Sequence, residues 1–416
     1  MISSTSSFNI NKRVLVVLSS FFLFFSGCAN IGGQAFVAKP VAVKNVLLAV
    51  YPITNLTGKK APLKETRQLV IGRLQAQGVN VLSDEALEKI MVRHRIRYVG
   101  GLSREESESF KSELGIDAVL IIFYELYDDG YPPKIALTAR LVSTGGRPVI
   151  LWSESVGLAG DDRPGILGLG LVSDPQILLD RAVLHLSDSL IDYLSSAGIG
   201  MREIEAGSGD ERSKELSGKT VPPSSVWNLI KDLFGSFKPR SYYITPFMDA
   251  HKRYSVVVMP FQNRSGRINA GDVLMLEFIR QLASLKEITV IDPGIVRQTM
   301  LDERIMMRDS ISLADFDLIT SRVGADLVLA GTVTDYYDYQ GPVGTCYVAF
   351  SVLLIEKKQR MTVFSSDSHN TGDDRITVFD LGKIRTASSL TSEMVQATVG
   401  LLSKGLDRRE LKKGVL

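Results

Sequence analysis

Two periodicities alternate along this chain. Short apolar runs of strand length are separated by stretches in which apolar residues recur every three or four positions, and the whole succession occurs twice. The first run, Val46-Leu-Leu-Ala-Val-Tyr51, stops at Pro52 and turns through Asn55-Leu-Thr-Gly58. Its counterpart, Tyr254-Ser-Val-Val-Val-Met259, stops at Pro260 and turns through Asn263-Arg-Ser-Gly266, an offset of 208 residues. Proline cannot donate to a strand ladder, and Asn-x-Ser/Thr-Gly is turn chemistry, so each run reads as a buried strand ending in a tight turn. Helical spacing follows over 63–77 and 271–285, then short strands at 79–82 and 288–291. A second helix puts Leu87, Ile90, Met91 and His94 on one face and ends at Arg95-Ile96; its partner ends at Arg304-Ile305, offset 209. Ser103 and Ser312 open a third helix, with Glu106 completing a capping box in the first copy and Asp315 at the same place in the second.

Gly115 and Gly324 read as caps closing these helices, leading into doubly buried strands over 114–120 and 323–329. Two more strands follow, 135–142 and 149–155 against 348–356 and 361–368. The first of each pair alternates apolar and polar residues, as a half-exposed antiparallel strand does. A closing helix over 176–194 matches one over 387–402. The expected fold is therefore α/β: two similar domains, each a mixed sheet flanked by helices in the order β-α-β-α-α-β-β-β-α. The boundaries drawn are 45–199 and 253–405, with 200–252 as linker and 406–416 as a charged tail. Within the linker, 200–223 is rich in Gly, Ser, Glu and Lys and reads as flexible. Residues 226–237 place Val226, Leu229, Ile230, Leu233, Phe234 and Phe237 at helical spacing. A membrane-surface helix would want more cations than Lys231 and Lys238, so docking on its own domain is the favoured reading.

The amino terminus has the form of an address. Lys12 and Arg13 precede the apolar run 14–25, which is too short to span a bilayer and ends in Phe25-Ser-Gly-Cys28. This resembles a bacterial lipobox. Residues 1–27 are then a signal peptide, Cys28 the lipidated first residue and 28–44 a tether, with Ala29 favouring the periplasmic face of the outer membrane. Subtracting the two signal-peptide cations from the formal net charge of +2 leaves zero, which argues against a nucleic-acid partner. Once Cys28 is acylated, Cys346 has no disulfide partner, and it reads as core packing.

Candidate chemistry is sparse. The four histidines are scattered without metal-ligand spacing, Ser217-Gly-Lys-Thr220 lacks the first glycine of a phosphate loop, and Ser173 interrupts a dinucleotide fingerprint. No catalytic residue, cofactor or metal is expected. One further repeated element stands out: Gly160-Asp161-Asp162-Arg163 recurs as Gly372-Asp373-Asp374-Arg375, offset 212. Its paired carboxylates suit Ca²⁺ or a basic partner; a turn stabilised by an internal Asp–Arg pair is the favoured alternative. These loops are the preferred candidate contact surface, since binding residues concentrate on loops held by rigid elements.

The lipobox, the strand-and-turn pair at Val46 and Tyr254, the helix ends at Ile96 and Ile305 and the strand Gly324-Ala-Asp-Leu-Val-Leu-Ala-Gly-Thr-Val333 together resemble the CsgG/TolB-N-like superfamily of bacterial envelope proteins. That resemblance implies an assembly or scaffold protein, a possible homo-oligomer or part of a heteromeric export complex, bound to other envelope proteins. A monomeric regulator of a peptidoglycan synthase is the rival reading. A secretion pore is disfavoured, because neither 124–134 nor 156–175 supplies a pair of long alternating strands.

Overall fold

The computed structural model describes residues 46–162, 170–197, 237–245, 252–305, 312–376 and 382–406. The expectations made for Cys28, Arg163, the segment 200–236 and the tail beyond Leu406 lie outside the described residues. In the first half, the apolar runs form strands β1 (Leu47–Val50), β2 (Thr54–Asn55), β3 (Asn80–Val81), β4 (Ala118–Asp128), β5 (Lys134–Ser143) and β6 (Ile150–Ala159). They make one sheet in the order β3-β1-β4-β5-β6, with β2 pairing β4. The pairs around β1 are parallel and β4-β5-β6 run antiparallel, so the sheet is mixed. Helices α1 (Leu63–Ala76), α2 (Asp84–Arg93), α3 (Arg104–Leu114) and α4 (Pro175–Ala197) complete this repeat.

The second half repeats the plan. Strands β7 (Ser241–Ile244), β8 (Tyr254–Val258), β9 (Gln262–Asn263), β10 (Ile288–Val290), β11 (Leu327–Tyr337), β12 (Tyr347–Glu356) and β13 (Met361–Thr371) form a sheet in the order β10-β8-β11-β12-β13-β7, with β9 pairing β11. Helices α5 (Ala270–Ala283), α6 (Pro293–Asp302), α7 (Leu313–Val323) and α8 (Ala387–Leu406) correspond to α1 through α4. The likeness extends to single residues. Ser103 and Glu106 make the complete capping box, and Ser312 caps α7 through the amide of Asp315. Gly115 and Gly324 close α3 and α7 at φ of 66° and 69°, where a side chain would be strained. Arg95 and Arg304 both adopt φ of 53° just past α2 and α6, and each lets the next amide reach back five residues, Ile96 to Met91 and Ile305 to Met300, at 2.8 Å.

Packing tells the repeats apart. On one face of the first sheet, Leu48, Val50, Leu120 and Ile122 meet Val70 and Leu74 of α1 and Leu179 and Val183 of α4 in one apolar cluster. In the second sheet, Val257 and Val328 pack under Ile295 of α6 and Phe316 and Ile319 of α7. A third, larger cluster belongs to both repeats: Tyr51, Phe110, Val119 and Ile121 share it with Val256, Phe278, Leu329, Phe350 and Leu390.

The structure departs from the sequence reading in two places, the first of them at the seam between the repeats. Strand β5 was expected to be half-exposed, yet nine of its ten residues are buried, including Lys134, Thr138 and Arg140. Its polar face is covered because α5 and α8 of the second repeat lie against the β5-β6 side of the first sheet. The matching strand β12 keeps an open face, with Leu353 46% exposed. The second departure is Ser241–Ile244, placed in the linker by sequence, which is a strand on the outer edge of the second sheet, antiparallel to β13.

Candidate functional site

The repeated Gly-Asp-Asp loops have nearly identical skeletons. Gly160 donates its N–H to the Pro133 carbonyl and accepts from Val172, both at 2.8 Å; Gly372 donates to Cys346 and accepts from Ile384 at 2.8 and 2.9 Å. A Cβ on either glycine would stand 2.1 Å from the oxygen of Val172 or Ile384, so close backbone approach requires glycine. The second aspartate closes each turn. Asp162 Oδ2 accepts from the Ala159 amide at 2.7 Å, and Asp374 accepts from the Thr371 amide, the Thr371 hydroxyl and Asn370 Nδ2. Burial pushes the Asp374 carboxyl up, but the Thr371 and Asn370 hydrogen bonds outweigh it and hold the group below the usual carboxylate range.

The first aspartates differ in use. Asp161 reaches across the seam to Arg385 Nε at 2.7 Å, whereas Asp373 faces Lys383 of its own repeat at 3.4 Å. Arg375 Nη1 donates to Glu393 at 2.5 Å and its guanidinium lies 5.0 Å from the centroid of Phe237, the one described residue of the expected amphipathic helix. These charges are engaged within the chain. Among the described residues no group of three potential ligands gathers to hold a metal.

The Asn-x-Ser/Thr-Gly turns are also structural. Asn55 Oδ1 accepts from the Thr57 amide and hydroxyl at 3.0 and 2.8 Å while its Nδ2 donates to Lys59 O at 2.7 Å. Asn263 does the same with Ser265 and Arg267, at 3.0, 2.7 and 2.7 Å. Gly58 takes φ of 71° within this turn; Gly266 has open space where its side chain would be. What the turn delivers in the second repeat is Arg267, which donates to the Glu125 carbonyl of the first, lies over the Tyr336 ring at 4.4 Å and faces Asp338 at 3.8 Å.

Arg267 belongs to a buried polar seam that motif reading missed. Glu125 on β4 accepts from Thr138 on β5 at 2.7 Å and from Ser388 on α8 at 2.5 Å, tying three elements together. Burial pushes the Glu125 carboxyl above its ordinary range, only partly offset by those two hydroxyls; burial also raises Asp338, against the pull of Arg267. Lys134 donates to the Tyr339 carbonyl at 2.7 Å with its ammonium 3.1 Å from that ring's centroid, and burial lowers its pKa. At the far end Asp292, the N-cap of α6, accepts from the amides of Gly294 and of Leu102, each at 2.8 Å, the second lying 190 positions away. Its other oxygen stands 3.6 Å from Arg140 Nε. A Cβ on Gly101 would sit 2.4 Å from Gly294 N, so the two backbones touch there. Two carboxylates, Glu154 and Glu277, flank Arg280 at 3.6 and 2.6 Å. Each buried ion costs several kcal/mol to desolvate, a cost that its ion pairs and hydrogen bonds across the seam offset in part.

Cys346 is fully buried, its thiol pushed up to about 12 by that burial and directed at Ile384 O at 3.3 Å, as core packing predicts. A groove of 1010 Å³ runs between α1 and α2 and is lined by Ile53, Leu63, Leu87, Met91 and Ile96 with Arg67, Arg95 and Arg97 among its polar residues. No described helix is long and apolar enough to cross a membrane.

No protein-family model and no curated protein matches the chain. Solved structures similar to it include a PelC dodecamer from Paraburkholderia phytofirmans, 16% identical over 38% of this chain and 93% of that one, TM-score 0.26. Lipoprotein GNA1162 from Neisseria meningitidis is 21% identical over 35% of this chain and 99% of that one, TM-score 0.26. The C-terminal domain of LpoB from Escherichia coli is 16% identical over 28% of this chain and 82% of that one, TM-score 0.22.

Proposed function

We propose that this chain is a non-catalytic scaffold of the bacterial cell envelope, anchored through an acylated Cys28 at the periplasmic face of the outer membrane and engaging another envelope protein. The observation that supports it most is the seam. Ionisable residues that would be available for chemistry in an enzyme cleft, Glu125, Lys134, Arg140, Glu277 and Asp292, are buried as fasteners between two copies of one module. The free surface left by that arrangement includes sheet and helix face of the two repeats. The anchor and the finer kinship with the CsgG/TolB-N-like superfamily rest on the residues quoted for them in the sequence.

A regulator of a peptidoglycan synthase has to reach its enzyme, and the sequence offered a flexible linker that would extend the second repeat outward. Packing of that repeat against the first removes this reach, so a scaffold fits better. The test has two readouts in cells producing the full chain. Cys28→Ser is expected to release the protein from the membrane fraction, and in-cell cross-linking of the unaltered chain is expected to capture a second envelope protein. Retention of Cys28→Ser in membranes overturns the anchor; failure to capture any other envelope protein overturns the scaffold role.

A further inference from the structure

The seam joins unlike surfaces: the β5-β6 sheet face of the first repeat receives the α5/α8 helix face of the second. Such a heterologous contact between two copies of one module leaves one surface of each kind unused, a sheet face on the second repeat and a helix face on the first. Both are present and open. Strand register identifies the equivalent positions, because Leu137 pairs Tyr124 on β4 as Phe350 pairs Val333 on β11. Leu353 then stands where Arg140 does, Tyr347 where Lys134 does and His369 where Gly157 does. Arg140 is 1% exposed and Leu353 46%. Tyr347 stacks on the exposed Tyr337 at 5.1 Å between centroids.

The helix side corresponds as closely. Val172 bonds Gly160 as Ile384 bonds Gly372, which sets Ile177 of α4 at the place of Ser389. Ser389 is a seam residue, donating to Gly157 O at 3.3 Å, whereas Ile177 is 47% exposed. The 1010 Å³ groove between α1 and α2 also has its counterpart. Between α5 and α6 the same place is occupied by residues 98–102 of the first repeat: Tyr98 lies under Arg297 at 4.4 Å, and Leu102 is held by Asp292.

We infer that a second copy of this chain fills these vacant faces, the β12-β13 sheet face of one copy taking the α1/α4 face of the next. This rests on the scaffold reading and names its partner surface. A second copy is the fitting occupant because the seam already shows that these two kinds of face are complementary, and a neighbouring copy brings the missing one of each. The substitutions also favour it. Where the internal seam carries Arg140, Lys134 and Ser389, the free faces carry Leu353, Tyr347 and Ile177. Association then removes apolar surface from water without desolvating the buried ions that the internal seam must accommodate. Repetition of the contact gives a closed ring or an open filament, according to whether its rotation closes.

The experiment uses the full chain in detergent, with Ile177→Cys and His369→Cys introduced together. A Cβ at Gly157 would lie 2.5 Å from Ser389 Oγ, so the equivalent pair comes within disulfide range between copies. Mild oxidation is expected to yield a reducible ladder of multiples of the chain, and a mixture of the two single variants only a two-chain species. Leu353→Asp, at an exposed position, is expected to weaken self-association by at least about tenfold while the thermal melt is unchanged. Multimers by mass that give no ladder and ignore Leu353→Asp overturn this interface while leaving the scaffold reading standing. A single-chain mass at tens of micromolar overturns self-assembly altogether, and the scaffold reading then stands or falls on capture of a different envelope protein.

Discussion

At the scale of single residues, the chain separates chemistry that is local from chemistry that is not. Asn55, Asn263, Gly160 and Gly372 could be recognised in the sequence because their partners lie within a few positions or within one repeat. Asp292 could not. Its neighbours in sequence mark it as a helix cap, but its partners across the seam are Leu102 and Arg140. Asp292→Ala leaves Arg140 buried and uncompensated and is expected to cost about 3–5 kcal/mol in urea unfolding. Adding Arg140→Leu, the residue found at the matching place in the second repeat, is expected to recover part of that loss, with a coupling of about 0.5–3 kcal/mol. Strict additivity of the two changes would show that the residues do not interact. The repeated acidic loops carry a similar lesson. Sequence offered them both as a self-stabilised turn and as surface for a partner; Asp162 and Asp374 close their own turns, and Asp161 pairs with Arg385 across the seam.

At the scale of elements, the order of strands and helices was readable because period and capping are local signals, present in duplicate. Even substituted contacts keep their places: α2 and α3 are joined by His94 and Glu113 at 2.5 Å, α6 and α7 by Glu303 and Arg322 at 2.6 Å, with the acidic partner exchanged between helices. The alternation of β5 was readable too, but period two reports only which face is polar, not what covers it. The cover is α8, and Glu125 is the residue through which it holds β4 and β5. Burial raises this carboxyl, so the folded chain keeps the proton to higher pH than the unfolded chain does. Its contribution is therefore full below the usual glutamate pKa of about 4.3 and is lost as pH rises through the folded value. Glu125→Gln is expected to flatten the fall in unfolding free energy as pH rises above the usual glutamate range. Equal slopes for the two proteins would exclude Glu125 as the source. Asp326 and Asp374, both held low, act in the opposite sense, their stabilisation being lost only as pH falls below the carboxylate range.

At the scale of the molecule, duplication has produced a body whose halves are alike in plan and unlike in surroundings. The first repeat has its sheet covered on both sides; the second keeps the β12-β13 part of one sheet face open and supplies the helices that cover its neighbour. Sequence comparison of the halves shows the likeness but cannot show the asymmetry, since the fasteners that create it are polar residues scattered through both copies. The sequence places a flexible linker between the repeats but does not report how they pack; one apolar cluster runs through both. Cutting the chain between them tests this most directly. With a specific protease site inserted among residues 200–223 of the full chain and cleaved to completion, the two fragments are expected to elute together at 1:1 stoichiometry and to melt in a single transition at the temperature of the uncut protein. Fragments that separate on gel filtration and melt independently would contradict a shared, buried seam.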